Sequence, residues 1–159
     1  MAKVNQVNNV NNVSKANKAE KHFINGLSCS QSILLTYGVN YGLNPELAIR
    51  LGTGFSGGLA RHGEVCGAIS GGIAVIGLKY GMAELGDNTA KARTYELVAE
   101  FIKKFKAKHN SILCRELLGC DISTSEGRKL ATDENRFKTL CPKFVHSAAK
   151  ALESVLQKK

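Results

Sequence analysis

No stretch of this chain is apolar for long enough to cross a membrane. The longest uncharged run lies from Val65 to Leu78, between Glu64 and Lys79, and falls short of the roughly 18 residues a spanning helix requires. It reads as a buried core helix. The opening residues, M-A-K-V-N-Q-V-N-N-V-N-N-V, lack the apolar run of a secretory signal, which leads us to expect a reducing cytoplasm. No segment alternates apolar and polar residues as a strand would, so the expected fold class is all-α. The five cysteines form no C-x-x-C and no paired Cys/His clip, which argues against a zinc ribbon or a c-type haem. His22, His62, His109 and His146 stand apart and read as exposed side chains, and no Ser-His-acid or paired-carboxylate set can be drawn.

What is present fits one domain. The 159 residues divide into an Asn-rich tail over residues 1–14, expected to be mobile, and a single folded unit over 15–159. A chain of this size buries roughly two thirds of its unfolded surface and needs no disulfide staples. The formal charge of +9 would suit an acidic partner. The basic residues are dispersed, however, and the only dense run, Lys103 to His109, reads as the wet face of a helix that buries Phe101, Ile102 and Phe105. Nucleic-acid binding is therefore disfavoured.

Apolar spacing predicts about five to six helices. Ala16, Ala19, Phe23, Leu27, Ser30, Leu34 and Tyr37 predict one long helix over 15–37, ended by Gly38. Asn44 and Pro45 open a short helix. After a loop rich in glycine, a helix is expected from Gly63 or Glu64, with Cys66 in its first turn and Ile69, Ile73, Ile76 and Tyr80 on the same face. Gly67, Gly71, Gly72 and Gly77 within it each cost about 1 kcal/mol against alanine, which points to close approach of another backbone or of a bulky cofactor. Further helices are expected over 90–108, near 111–118, after Ser123, and from Cys141 onward.

The loop contains G-x-G-x-x-G at Gly52, Gly54 and Gly57. A helix precedes it and no acidic residue follows at positions 70–78, which excludes a dinucleotide fold. Glycines feeding a helix start still offer free N–H groups to a thiolate or a cluster, and Gly57, Gly58, Gly63 and Gly67 are the candidates. Thiol pKa falls at helix N-termini and beside cations. Cys66 has Arg61 and His62 just upstream, Cys114 precedes Arg115, and Cys141, taken as an N-cap, precedes Pro142. Cys120 follows Cys114 by six residues and could meet it across Gly119. Each thiol could equally serve as a small packed hydrophobe.

These segments resemble the redox-active family named after its C, GCAxxG, C, C cysteine pattern, from Lys15 to near the C-terminus. S-C-S-Q-S-I-L-L surrounds Cys29, C-R-E-L-L-G-C-D holds Cys114 and Cys120, and L-C-P-K-F holds Cys141. Around Cys66 the order is Cys66-Gly67-Ala68 rather than Gly-Cys-Ala. The resemblance implies a small helical protein with a redox role and adds Cys29 to the redox candidates; similar domains look to be present in split-Soret-type cytochromes, where an iron–sulfur centre accompanies haem. Three readings follow. The leading one is electron transfer through an iron–sulfur cluster on Cys66, Cys114, Cys120 and Cys141, with Cys29 close by and an unidentified redox partner. The second is a metal-free dithiol protein, using Cys114 with Cys120 or Cys66 with Cys141. The third is a structural or interaction protein with packed cysteines and a basic surface. Assembly with a second copy is left open.

Overall fold

The computed structural model describes residues 13–159; the expected tail lies, but for its last two residues, outside them. The described residues form an all-α domain of nine helices, more than the five to six expected. The difference comes from breaks that apolar spacing does not register.

The first break splits the predicted 15–37 helix into α1 (Lys15–Ile24) and α2 (Cys29–Tyr37). Gly26 takes φ +110°, and Ser28 and Gln31 then close a reciprocal capping box. This satisfies two N–H groups at the start of α2 and makes Cys29 its first residue. Next comes α3 (Pro45–Gly52), opened as expected by Asn44, whose side chain accepts from the Leu47 N–H at 2.8 Å.

The central helix is α4 (Gly67–Tyr80), which begins later than Gly63 or Glu64. Residues 57–63 are largely left-handed, and Val65 makes an isolated antiparallel bridge with Leu113, so the helix cannot start before Cys66. Apolar residues and glycines cover most of its circumference, and it packs against α2, α5 and α9. A helix apolar on several sides belongs in a core. The expected use of its glycines for backbone contact is observed: a Cβ on Gly71 would stand 3.1 Å from the Ser30 carbonyl oxygen. One on Gly72 would strike the Phe101 ring at 2.4 Å.

Beyond it lie α5 (Asn88–His109), α6 (Cys114–Leu118), α7 (Ser125–Asp133), α8 (Arg136–Thr139) and α9 (Cys141–Leu156). Leu97, Phe101 and Phe105 of α5 are buried while its lysines stay exposed, and Val145, Ala148, Leu152 and Val155 of α9 complete the core. No helix among the described residues is long and apolar enough to cross a membrane. The consequence for function is that α2, α4, α6 and α9 all begin at a cysteine or directly after one.

A candidate cysteine redox site

Four cysteines from four separate segments line one cavity of about 360 Å³: Cys29, Cys66, Cys114 and Cys141. Each owes its place to a helix start. Cys29, Cys114 and Cys141 are the first residues of α2, α6 and α9, and Cys66 is the N-cap of α4. Cys66 is thus one position outside the first turn in which spacing placed it. Cys141 is one position inside its helix, because α8 runs into Leu140, which serves as N-cap in a right-handed conformation. Pro142 follows without cost, since the first turn has no use for its missing N–H.

Cys120 does not line the cavity. It sits half-buried just past α6, beside Arg136, whose guanidinium donates to the carbonyls of Leu118 at 2.7 Å and Gly119 at 3.0 Å. Cys29 takes its place at the cavity. All five are free thiols, and among the described residues no group of three or more His, Cys, Asp or Glu side chains gathers tightly enough to hold a single metal ion. His62 is exposed, its Nδ1 2.8 Å from the Leu59 carbonyl oxygen. His22 and His109, expected on the surface, are half-buried, His109 against the Phe105 and Phe144 rings.

The thiols differ in acidity. Hydrogen bonding from the Cys29 thiol, and to a lesser degree from the N–H groups of Ala68 and Ile69, holds the Cys66 thiol below the ordinary range despite its burial. Ala68 and Ile69 lie in the first turn of α4, whose N–H groups point toward the helix start, where negative charge is favoured. Cys29 pays the opposite way: donating to Cys141 and to Cys66 pushes its own thiol well above that range, and burial adds to the effect. Burial also lifts Cys114 to about 12, with Cys66, Cys141 and Cys120 contributing. The arrangement favours the thiolate on Cys66 over those on Cys29 and Cys114.

The loop before Cys66 shapes the other wall. Gly57, Gly58, Leu59, Ala60 and Arg61 take φ values of 66°, 65°, 62°, 50° and 69°, and Gly63 takes 70°. Five consecutive left-handed residues cost roughly 1–2 kcal/mol at each of the three that carry a Cβ. Main-chain bonds offset this, from Ala60 to Gly54 at 3.0 Å, Arg61 to Ser56 at 3.2 Å, Gly63 to Gly57 at 3.2 Å and Glu64 to Gly58 at 3.0 Å. Of the candidate glycines, Gly57 and Gly67 line the cavity, whereas Gly58 and Gly63 pack behind it. Arg61, expected beside Cys66 from the sequence, and Arg128, which was not, bring positive charge to the lining. Arg128 sits on α7 and donates to the carbonyls of Ile122 and Ser123, both at 2.9 Å.

The sequence model of the family described as "Putative redox-active protein (C_GCAxxG_C_C)" matches residues 27–155, which include all five cysteines. The chain belongs to that family. No curated protein and no solved structure matches it. In this member of the C_GCAxxG_C_C family, Cys29, Cys66, Cys114 and Cys141 meet at one cavity, and Cys120 stands outside it.

Proposed function

We propose that this C_GCAxxG_C_C protein transfers electrons on a cysteine centre in which Cys29, Cys66, Cys114 and Cys141 hold an iron–sulfur cluster. The observation that carries the reading is the convergence of four thiols, from segments far apart in sequence, on one cavity. The residues present suit such a group. Four sulfur donors match the usual ligand number of a cluster, and the thiols surround a void rather than a point. The N–H groups at the start of α4 favour anionic sulfur, while Arg61 and Arg128 supply counter-charge. A cluster, when bound, supplies a site for one electron; the chain's own residues exclude water and fix the sulfurs. A reducing compartment such as the cytoplasm fits buried free thiols, and the exposed lysines of α5 fit an acidic redox partner.

The test is anaerobic purification, incubation with ferrous iron and sulfide, and measurement of iron, acid-labile sulfide and visible absorption. About two to four irons per chain with a reducible absorption band is the expected result. A colourless protein with five titratable thiols under these conditions would end the reading.

A second reading rests on Cys29 and Cys66 lining the same cavity, with the Cys29 thiol pushed above and the Cys66 thiol held below the ordinary range. A thiolate beside a thiol is the arrangement that forms a disulfide: the two sulfurs bond, the one remaining thiol proton leaves, and two electrons pass to an external disulfide, which becomes one thiol and one thiolate. Alkylation and mass spectrometry across a series of glutathione redox buffers separate the two readings, because only this one predicts reversible loss of two thiols without iron.

A further inference from the structure

The left-handed turn needs a support outside itself. Its own main-chain bonds leave the carbonyls of His62 and Gly63 pointing away from the turn, and one side chain meets both. Arg115 donates from Nε to the Gly63 carbonyl at 3.1 Å and from Nη2 to the His62 carbonyl at 3.2 Å, and it pairs with the Glu64 carboxylate. Its own N–H donates to the Gly63 carbonyl at 3.0 Å. Immediately beside this clasp, the Cys114 N–H donates to the Glu64 carbonyl at 2.6 Å and the Cys66 N–H to the Ile112 carbonyl at 2.8 Å. The two cysteine backbones are thus tied through the strip that Arg115 fastens.

Resting on the reading that Cys66 and Cys114 belong to one redox centre, we propose that Arg115 is a positioning residue for it. Its guanidinium fastens the left-handed turn to the start of α6 and so sets how the Cys66 and Cys114 sulfurs face each other. Arg115 does not line the cavity, so its action runs through the backbone. The geometry needs a planar fork that reaches two carbonyls and a carboxylate together, which a lysine ammonium reproduces only in part. A Cβ on Gly63 would stand 3.2 Å from the Arg115 Cβ, so the turn meets the start of α6 with no side chain of its own at that point.

The experiment uses the full chain as wild type, Arg115→Lys and Arg115→Met. Alkylation of Cys66 and Cys114 by iodoacetamide is followed by mass spectrometry across pH, beside helical circular dichroism. We expect Arg115→Met to keep its helical signal while Cys114 reacts about tenfold faster, because alkylation of a buried thiol follows local opening. Arg115→Lys should lie between wild type and Arg115→Met. Wild-type profiles in both variants would overturn the proposal. So would equal changes in a control matched for melting temperature, such as Ala149→Gly on the far helix α9. If Arg115→Met does not fold, Arg115→Lys carries the test alone. If wild type takes up no iron and sulfide yet the Arg115 variants shift these profiles, the cluster reading falls and the positioning role stands. If iron binds and the profiles do not move, the positioning role falls alone.

Discussion

Gly58 and Cys114 stand so close that no side chain fits between them. A Cβ on Gly58 would lie 2.8 Å from the Cys114 Cβ and 2.5 Å from the Glu64 nitrogen, at a φ of +65°. Backbone atoms cannot give way as a side-chain tip would. Gly58→Ala is therefore expected to destabilise the fold by on the order of 3 kcal/mol, read as the midpoint of urea unfolding, and to speed alkylation of Cys114. An unchanged midpoint would show that the left-handed turn relaxes freely.

The glycines of α4 are not equivalent. Gly77 has open space around its missing Cβ, whereas at Gly67 a Cβ would meet the Phe55 carbonyl oxygen at 3.1 Å and the Cys29 Cβ at 3.3 Å. Gly77→Ala should raise stability by about 0.5–1 kcal/mol through the lost flexibility of the unfolded chain. Gly67→Ala should lower stability and alter the reactivity of Cys29. Thermal unfolding of the two variants side by side gives opposite signs.

Stability should depend on pH through the thiols. For Cys114, lifted to about 12, and for Cys29, also raised, the folded protein holds the proton more tightly than the unfolded chain. Their contribution is fully present below the ordinary thiol value of about 8.5 and declines as pH rises from there. Cys66 runs the other way: its contribution is present above that value and is lost as pH falls through its lowered one. The reduced protein without metal should lose stability between about pH 8.5 and 10, and Cys114→Ser should flatten that slope. Urea unfolding under anaerobic conditions at several pH values measures both, and an equal slope in the variant contradicts the assignment.

The cavity and the ligand set expected from the sequence differ by one cysteine, Cys29 in place of Cys120. If the cavity defines the centre, serine at Cys29, Cys66, Cys114 or Cys141 should each cut iron and sulfide uptake by at least about tenfold, and serine at Cys120 should leave it near wild type. A loss at Cys120 equal to that at Cys29 would move the centre toward α6 and Arg136.

Much of this was legible where the signal is local. Asn44-Pro45 and Cys141-Pro142 announce helix starts because capping and proline geometry involve only neighbouring residues. Phe101 and Phe105 on the inner face of α5 follow from spacing alone. The break between α1 and α2 was also written locally, as Asn25-Gly26 and Ser28-x-x-Gln31, yet apolar residues at helical steps on both sides of it gave a continuous pattern. Cys29 was consequently read as lying within a long helix instead of at the start of one.

By itself the sequence determined the helical class, the family, and the presence of cysteines at helix starts, since propensity, caps and the cysteine pattern act over a few residues. Only the tertiary structure decided that Cys29 rather than Cys120 faces the cavity, that residues 57–61 wind left-handed, and that Arg115 fastens that turn to α6. The cavity and the clasp depend on contacts between distant groups, such as the Arg115 guanidinium and the Gly63 carbonyl, and the left-handed turn on main-chain bonds five or six residues apart; apolar periodicity carries no record of which partner will satisfy a given carbonyl or surround a given thiol.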